Sequence, residues 1–225
     1  MTAADLLDRP TYLYAEVDRL IGCPAGTARR WINGYDRSGR HYEPILRQRT
    51  LTTEWATWGE FVEARMLSEF RDQRVPTARL RAAVERLQDE FGRYPLAHLS
   101  SYLAVESGDL VLEVLDTSAP EVVRTGQLIL LAGRPVFDSA TLGADASGKF
   151  VAVEVPVSGS FPSIRVNPDR MGGQPTFVGR RVAVLTIAGM VEAGENRADL
   201  AADFGLSLAQ VDEAVAFSLV SSAVA

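Results

Sequence analysis

The stretch IRVNPDRMGGQPTFVGRRVAV, from Ile164 to Val184, decides how the C-terminal part of the chain folds. It contains two adjacent glycines, two prolines and a third glycine that precedes paired arginines. Such loops often bind phosphate, but a P-loop ends in Gly-Lys-Ser/Thr and leads directly into a helix. Here the glycines lead into Gln174-Pro175, and no lysine follows. We therefore predict that the loop connects two short strands, Ser163–Val166 and Thr176–Val178, and binds no nucleotide.

Three helices are predicted to follow this loop. The first runs from about Val184 to Ala193, with apolar residues at helical spacing. Asn196 is the expected N-cap of the second helix, and Gly205 its C-terminal stop. The third helix begins with the sequence SLAQ at 207–210, which has the form of a capping box. The second and third helices therefore meet at a glycine turn, with the spacing of a helix-turn-helix.

The third of these helices is acidic. It carries Asp212 and Glu213 and has no arginine or lysine. Such a helix would repel DNA phosphates and would lack the arginines that read base edges. We therefore assign the C-terminal domain to packing and to self-association as a homodimer. Four arginines near the glycine loop leave another role open, because they could contact a DNA backbone or the acids of a partner: Arg165, Arg170, Arg180 and Arg181.

A second helix pair is predicted near the N-terminus, in YLYAEVDRLIGCPAGTARRWINGY at 12–35. Gly22 and Cys23 separate two short apolar patterns, and proline is favoured at the first position of a helix, where we place Pro24. Ala28, Trp31 and Ile32 then give the second helix an apolar face. Two short helices across a tight glycine turn are typical of a helix-turn-helix.

The second N-terminal helix and the segment after it are basic. The helix would present Thr27, Arg29 and Arg30, and arginine is suited to a bidentate contact with guanine in the major groove. The following NGYDRSGRHY predicts a tight β-hairpin that carries Arg37 and Arg40. A basic hairpin beside a recognition helix can hold phosphate and fix register. These five residues are our candidate DNA-binding residues.

The distribution of charge agrees with a local DNA contact. The formal net charge is −6, yet residues 11–50 hold seven arginines against four acidic residues. Residues 100–160 hold three basic residues against eight acidic ones, so a short basic segment lies within an acidic chain.

Several classes of protein are not expected. A single cysteine, Cys23, excludes an intrachain disulfide, and with two histidines it argues against a zinc cluster. No catalytic set or cofactor motif is found, so we predict no enzyme, no cofactor and no metal. No apolar run reaches the length of about 18 residues typical of a membrane helix, and MTAADLLDRP lacks a signal-peptide pattern. A soluble cytoplasmic protein is therefore expected.

The N-terminal pattern resembles the winged-helix DNA reader of the MerR family. The matching residues are Thr27-Ala28-Arg29-Arg30-Trp31, with Glu16-Val17 before them and a basic hairpin after them. The chain departs from that family at two positions. Asp18 stands where alanine is usual, and Gly26 lies inside the expected recognition helix, which it would weaken by about 0.5–1 kcal/mol relative to alanine.

The C-terminal pattern resembles a small antitoxin domain family that was first catalogued as a domain of unknown function. The matching residues are Ile164, Pro168, Gly172-Gly173, Pro175, Gly179 and Arg181, and the clear departure is Arg180 where threonine is usual. Together with the N-terminal reader, the whole chain resembles a long VapB-type antitoxin. The resemblance implies a PIN-like ribonuclease toxin as partner, and repression of the chain's own operon through operator DNA.

These patterns predict an α+β fold, mainly helical, in three parts. Residues 1–99 would form the MerR-like winged helix-turn-helix with supporting helices, with a capping box at TWGE (57–60). Residues 100–160 would form a β-rich middle, ended by a hinge at SGS (158–160). Residues 161–225 would form a β-hairpin with three helices. An alternative function stays open, a stand-alone transcriptional regulator that binds a small-molecule effector in the β-rich middle.

Overall fold

The computed structural model describes residues 6–72, 76–98, 101–106, 109–114, 140–144 and 150–224 of the 225-residue chain. Within these residues the fold is α+β, as predicted. Within the predicted β-rich middle, the segments QLILLAG and RPVFD at 127–138 lie outside the described residues, as does most of the proposed effector region. No single described helix is long and apolar enough to span a membrane. The helices Arg197–Phe204 and Leu208–Ala223 meet that criterion only when taken together, and they are bent by 109°.

Two short helices and a hairpin form the N-terminal part, in the predicted order. Helix α1 (Tyr14–Leu20) and helix α2 (Thr27–Asn33) are separated by a tight turn. The hairpin of β2 (Tyr35–Arg37) and β3 (Arg40–Tyr42) follows directly. Two further strands pair with each other, antiparallel: β1 (Pro10–Leu13) and β4 (Trp55–Thr57).

Two long helices come next, α3 (Trp58–Asp72) and α4 (Thr77–Phe91). The predicted capping box at the start of α3 is confirmed. The backbone N–H of Thr57 donates to Glu60 Oε2 (2.8 Å), and the N–H of Glu60 donates to Thr57 Oγ1 (3.3 Å). These reciprocal bonds satisfy donors that a helix start otherwise leaves without partners.

The β-structure beyond α4 consists of a hairpin and a four-stranded antiparallel sheet. The hairpin pairs β5 (Ser101–Glu106) with β6 (Asp109–Val114). The sheet has the strand order β10-β9-β8-β7. Its strands are β7 (Thr141–Ala144), β8 (Phe150–Pro156), β9 (Ile164–Val166) and β10 (Thr176–Phe177).

The hinge predicted at residues 158–160 was wrong. Val155 pairs with Val166, and Pro156 pairs with Arg165, so β8 and β9 are the two arms of one hairpin. The N–H of Val157 also donates to the Ile164 carbonyl (3.2 Å). Serine and glycine at this place turn the chain, and strand pairing fixes the segments on both sides.

The Gly-Gly loop connects β9 to β10, as predicted, through a short 3₁₀ turn at Met171–Gly173. Gly173 has φ +83°, a conformation that favours glycine. Its carbonyl accepts a hydrogen bond from the Tyr12 hydroxyl (2.6 Å), and a Cβ at Gly173 would lie 3.1 Å from that hydroxyl oxygen. The loop therefore attaches the C-terminal part of the chain to β1.

Three helices end the chain, α5 (Val184–Glu192), α6 (Arg197–Phe204) and α7 (Leu208–Ala223). Their predicted signals are confirmed. The Asn196 side chain caps α6, Gly205 ends α6 with φ +63°, and a capping box opens α7.

One continuous apolar core contains residues from all three predicted parts of the chain. Trp58 is fully buried, and its indole N–H donates to the Ala152 carbonyl (2.8 Å). Tyr12 packs on Phe61 with ring centroids 4.8 Å apart. Buried Arg65 donates through Nε to the carbonyl of Pro156 (3.0 Å). The division at residues 99 and 160 stays a prediction. The Trp58 and Arg65 contacts cross the boundary at 99, and the hydrogen bond from Tyr12 to Gly173 crosses both.

Glu63 is a fully buried acid of α3 inside this core. Its Oε1 accepts a hydrogen bond from the N–H of Leu96 (3.0 Å), and Oε2 has no partner among the described residues. Burial raises the pKa of this carboxyl from 4.5 to about 8, and the nearby charge of Glu60 acts in the same direction.

We expect Glu63 to make the free energy of unfolding fall as the pH rises from about 4.5 to about 8. In this window the unfolded chain has lost the proton that the folded chain keeps, so the contribution falls by up to about 1.4 kcal/mol per pH unit. Glu63→Gln should remove that part of the slope. Urea unfolding of both proteins across the window measures it, and identical slopes would contradict the assignment.

Candidate nucleic-acid interface

Asp18, at the end of α1, holds the start of α2. Its side chain is 1% exposed, and its two carboxylate oxygens accept the backbone N–H groups of Gly26 and Ala28, each at 2.7 Å. Burial raises the pKa of Asp18, while the hydrogen bonds from the Ala28 and Gly26 N–H groups act to lower it. The departure from the MerR pattern at position 18 therefore has a structural role, because this carboxylate caps the second helix from a distance.

The start of α2 differs from the sequence prediction in two ways. Pro24 lies in the turn, and the helix begins at Thr27. Gly26 is the residue before the first turn, with φ +78°, so glycine is the favoured residue there. The expected weakening of the helix by Gly26 was therefore wrong.

Arg47 contacts the start of α1 and the end of α2. Its guanidinium forms a buried bidentate pair with Glu60, with Nε to Oε1 at 2.6 Å and Nη2 to Oε2 at 2.8 Å. It also donates to the Tyr14 hydroxyl (2.7 Å), to Asn33 Oδ1 (2.9 Å) and to the Trp55 carbonyl (2.8 Å). One side chain thus connects the start of α1, the end of α2, strand β4 and helix α3.

The predicted residues of α2 differ in their exposure. Arg29 and Arg30 are exposed, whereas Thr27 is only 6% exposed. The Thr27 hydroxyl donates to the Pro24 carbonyl (2.6 Å) and accepts from Arg30 Nη2 (3.1 Å). Thr27 therefore orients Arg30, which differs from the expectation that Thr27 is itself displayed. Arg29 lies 3.9 Å from exposed Glu54, a separation at which a surface pair contributes little.

The hairpin presents the other two predicted arginines. Arg37 and Arg40 are cross-strand neighbours, and both are exposed. Tyr35 and Tyr42 stack at the base of the hairpin, with ring centroids 4.7 Å apart, and the Arg40 guanidinium lies 5.4 Å from the centre of the Tyr42 ring. These contacts stiffen a very short hairpin and orient one of its arginines.

His41 adds no unbalanced charge to the hairpin. Its Nδ1 lies 2.9 Å from Asp36, and its Nε2 lies 3.6 Å from Glu43. The hydrogen bond with Asp36 raises the pKa of His41.

A cleft of about 580 Å³ separates α2 and the hairpin from the end of α3 and the start of α4. Arg30 lines it together with Arg71 and Arg81. Arg81 is held in place, because it donates to the carbonyls of Pro44 (2.6 Å) and Glu43 (2.8 Å). The basic character predicted for α2 and the hairpin thus extends to the neighbouring helices.

The C-terminal arginines fall into two groups. Arg170 pairs with Glu154 at 2.6 Å, and burial lowers the pKa of Arg165. Arg180 and Arg181 are exposed, and within the described residues neither forms an ion pair. The Arg180 guanidinium lies over Gly205, where a Cβ would be 3.3 Å from its Nη2.

The acids of α7 contact other residues of the C-terminal part of the chain. Asp212 pairs with Arg197. Glu213 accepts the N–H of Ser163 (2.9 Å) and also its hydroxyl.

We expect Asp18→Ala to lower the free energy of unfolding by about 1–3 kcal/mol, because two buried N–H groups would lose a charged acceptor. The free energy of unfolding of Asp18→Asn should lie between those of Asp18→Ala and the wild type, since an amide keeps one acceptor oxygen. Asp203→Ala, at an exposed acid of α6, is the matched control and should change it by less than about 0.5 kcal/mol. Urea unfolding measures all three. An Asp18→Ala value equal to the control would rule out the remote cap.

Comparisons with known proteins agree with this fold. Residues 164–218 match the family described as "Protein of unknown function (DUF433)". The protein named "Putative antitoxin VapB45" of Mycobacterium tuberculosis (strain ATCC 25618 / H37Rv) is 25% identical over 92% of this chain and 93% of its own length. The crystal structure of Rv2018 from M. tuberculosis has the same fold, with a TM-score of 0.60 at 19% identity, over 93% of this chain and 99% of that chain. "Uncharacterized protein Rv2308" of the same strain is 52% identical over 97% of this chain and 94% of its own length. At that identity and coverage, this chain belongs to the same family as Rv2308.

Proposed function

We propose that the chain is an antitoxin that neutralises a PIN-like ribonuclease toxin and represses its own operon by binding operator DNA. The observation that carries the DNA-binding part of the proposal is the pair of exposed arginines on α2 beside two more on the adjoining hairpin: Arg29, Arg30, Arg37 and Arg40. The antitoxin part is supported by the similarity to the relative named "Putative antitoxin VapB45", and by the motif resemblance of the C-terminal segment, of which residues 164–218 match DUF433.

In this proposal α2 enters the major groove and the hairpin contacts the phosphate backbone. Arg30 is already oriented by Thr27, so less side-chain freedom is lost when it binds a base or phosphate. Within the described residues Arg29 has a weak surface pair with Glu54, which DNA phosphates would replace. Arg37 and Arg40 supply sequence-independent attraction, which depends on salt.

The toxin would be bound by the C-terminal domain. A ribonuclease that holds a metal with acidic side chains offers a concentrated negative site, which a guanidinium can enter. Arg180 and Arg181 are the exposed cations of this domain that form no ion pair within the described residues, and so they are the candidates for that contact.

Self-association would use the apolar side chains that the C-terminal helices leave exposed. Leu219 of α7 is 69% exposed, and Leu185 and Leu208 are each 54% exposed. Leu208 and Leu219 lie eleven residues apart on α7 and so share one face of that helix. Large exposed apolar side chains are typical of interaction surfaces. A homodimer would present two copies of α2, which fits an operator of two half-sites.

We expect the double variant Arg29→Ala/Arg30→Ala to bind DNA from the chain's own promoter about 30-fold or more weakly than the wild type. Two lost arginine contacts are worth about 1–3 kcal/mol each. Fluorescence anisotropy at physiological salt measures the affinity, and size-exclusion chromatography with light scattering checks that self-association is unchanged.

Arg197→Ala is the matched control, because it removes an exposed arginine from α6, away from α2 and the hairpin. It should leave promoter affinity within about twofold of the wild type. Retained affinity in the double variant would move the DNA reader to another part of the chain.

A further inference from the structure

A cleft of about 700 Å³ lies between α1 and the C-terminal domain, away from the exposed face of α2. The Gly-Gly loop and α7 form one wall, and residues of β1 and α1 form the other. Small-molecule sites in proteins are typically about 300–1,000 Å³ and often lie where two structural units meet. Tyr12 and Gly173 both line the cleft, and the hydrogen bond between them fixes their relative positions.

The lining of this cleft is apolar on its inner side. Leu20 of α1 and Phe217 of α7 are buried, and Pro175 lies beside them. Leu185 is more than half exposed and forms part of the outer wall. A hydrocarbon body placed here would lose water-exposed apolar surface together with these side chains, at about 25 cal/mol per Å².

One cation in the lining forms no ion pair within the described residues. Arg19, in the last turn of α1, is partly buried, yet it forms no ion pair with any residue that the structure describes. Glu16 also lines the cleft, but its Oε2 accepts the N–H of Leu13 (2.7 Å) and so is held at the start of α1. A partly buried guanidinium without a partner favours an anionic group nearby.

A second polar group in the lining is also unsatisfied. The hydroxyl oxygen of Ser221 is buried, and it has no hydrogen-bond partner among the described residues. The neighbouring Ser222 hydroxyl already donates to the Ser218 carbonyl (2.8 Å). A buried hydroxyl without a partner costs free energy, which a ligand oxygen could recover.

From this lining we infer that the cleft binds a small amphipathic carboxylate, whose anionic head pairs with Arg19 and whose apolar body packs against Leu20 and Phe217. The Ser221 hydroxyl donates to the same head group. This site goes beyond the proposed antitoxin function and does not depend on it, because ligand binding can be measured without DNA or toxin.

The test uses octanoate as the probe and octan-1-ol as its neutral counterpart of the same chain length. NMR titration of the full chain measures both dissociation constants. Wild type should bind octanoate at least about tenfold more tightly than octan-1-ol, because only octanoate offers a charge to Arg19. Arg19→Gln should abolish that preference and leave octan-1-ol binding unchanged, and the control Arg86→Gln, at an exposed arginine of α4, should behave as wild type.

A second variant tests the location independently of charge. Ser222→Trp places a large side chain at an exposed position of the cleft wall, so it should weaken both probes at least about tenfold while circular dichroism stays unchanged. Equal binding of the two probes by wild type would overturn the inference. So would octanoate binding that neither Arg19→Gln nor Ser222→Trp weakens.

Discussion

The buried ion pair between Arg47 and Glu60 is the interaction on which the arrangement of the N-terminal helices depends. The Arg47 guanidinium donates five hydrogen bonds, and the acceptors belong to four separate elements. Removing one partner of such a pair leaves an uncompensated buried charge and typically costs about 3–5 kcal/mol. Asp18 fixes the start of α2, while Arg47 holds the residue at its end, Asn33. Arg29 and Arg30 therefore project from a helix, α2, that is held at both ends.

Local signals allowed much of the secondary structure to be predicted from the sequence. The capping boxes before α3 and α7, the Asn196 cap and the Gly205 stop each act within four residues, so their consequences can be read directly. The Gly-Gly loop was also predicted as a connection between two short strands. Its glycine at position 173 has a further role that needs a distant partner, because it lies against the hydroxyl of Tyr12.

The errors arose where the deciding contact joins residues far apart in sequence. Arg47 contributed to the basic count of residues 11–50, but its charge is buried against Glu60 and cannot reach DNA. Gly26 was interpreted as a weak point inside a helix. It lies instead in the turn before α2, where it has a left-handed conformation and its N–H donates to Asp18. Thr27 was read as displayed, and only the structure reveals that its hydroxyl is engaged. Charge counts and helix propensities carry no information about such pairings.

Co-expression tests most directly whether this chain neutralises a toxin. The gene adjacent to this one is expressed from an inducible promoter, alone or with the full chain, and growth is measured. The account predicts that the neighbouring gene alone arrests growth and that the full chain restores it. The Arg29→Ala/Arg30→Ala variant should restore growth as well, because neutralisation does not need the DNA reader. Continued arrest in the presence of the folded full chain, or no arrest by the neighbouring gene, would contradict the account.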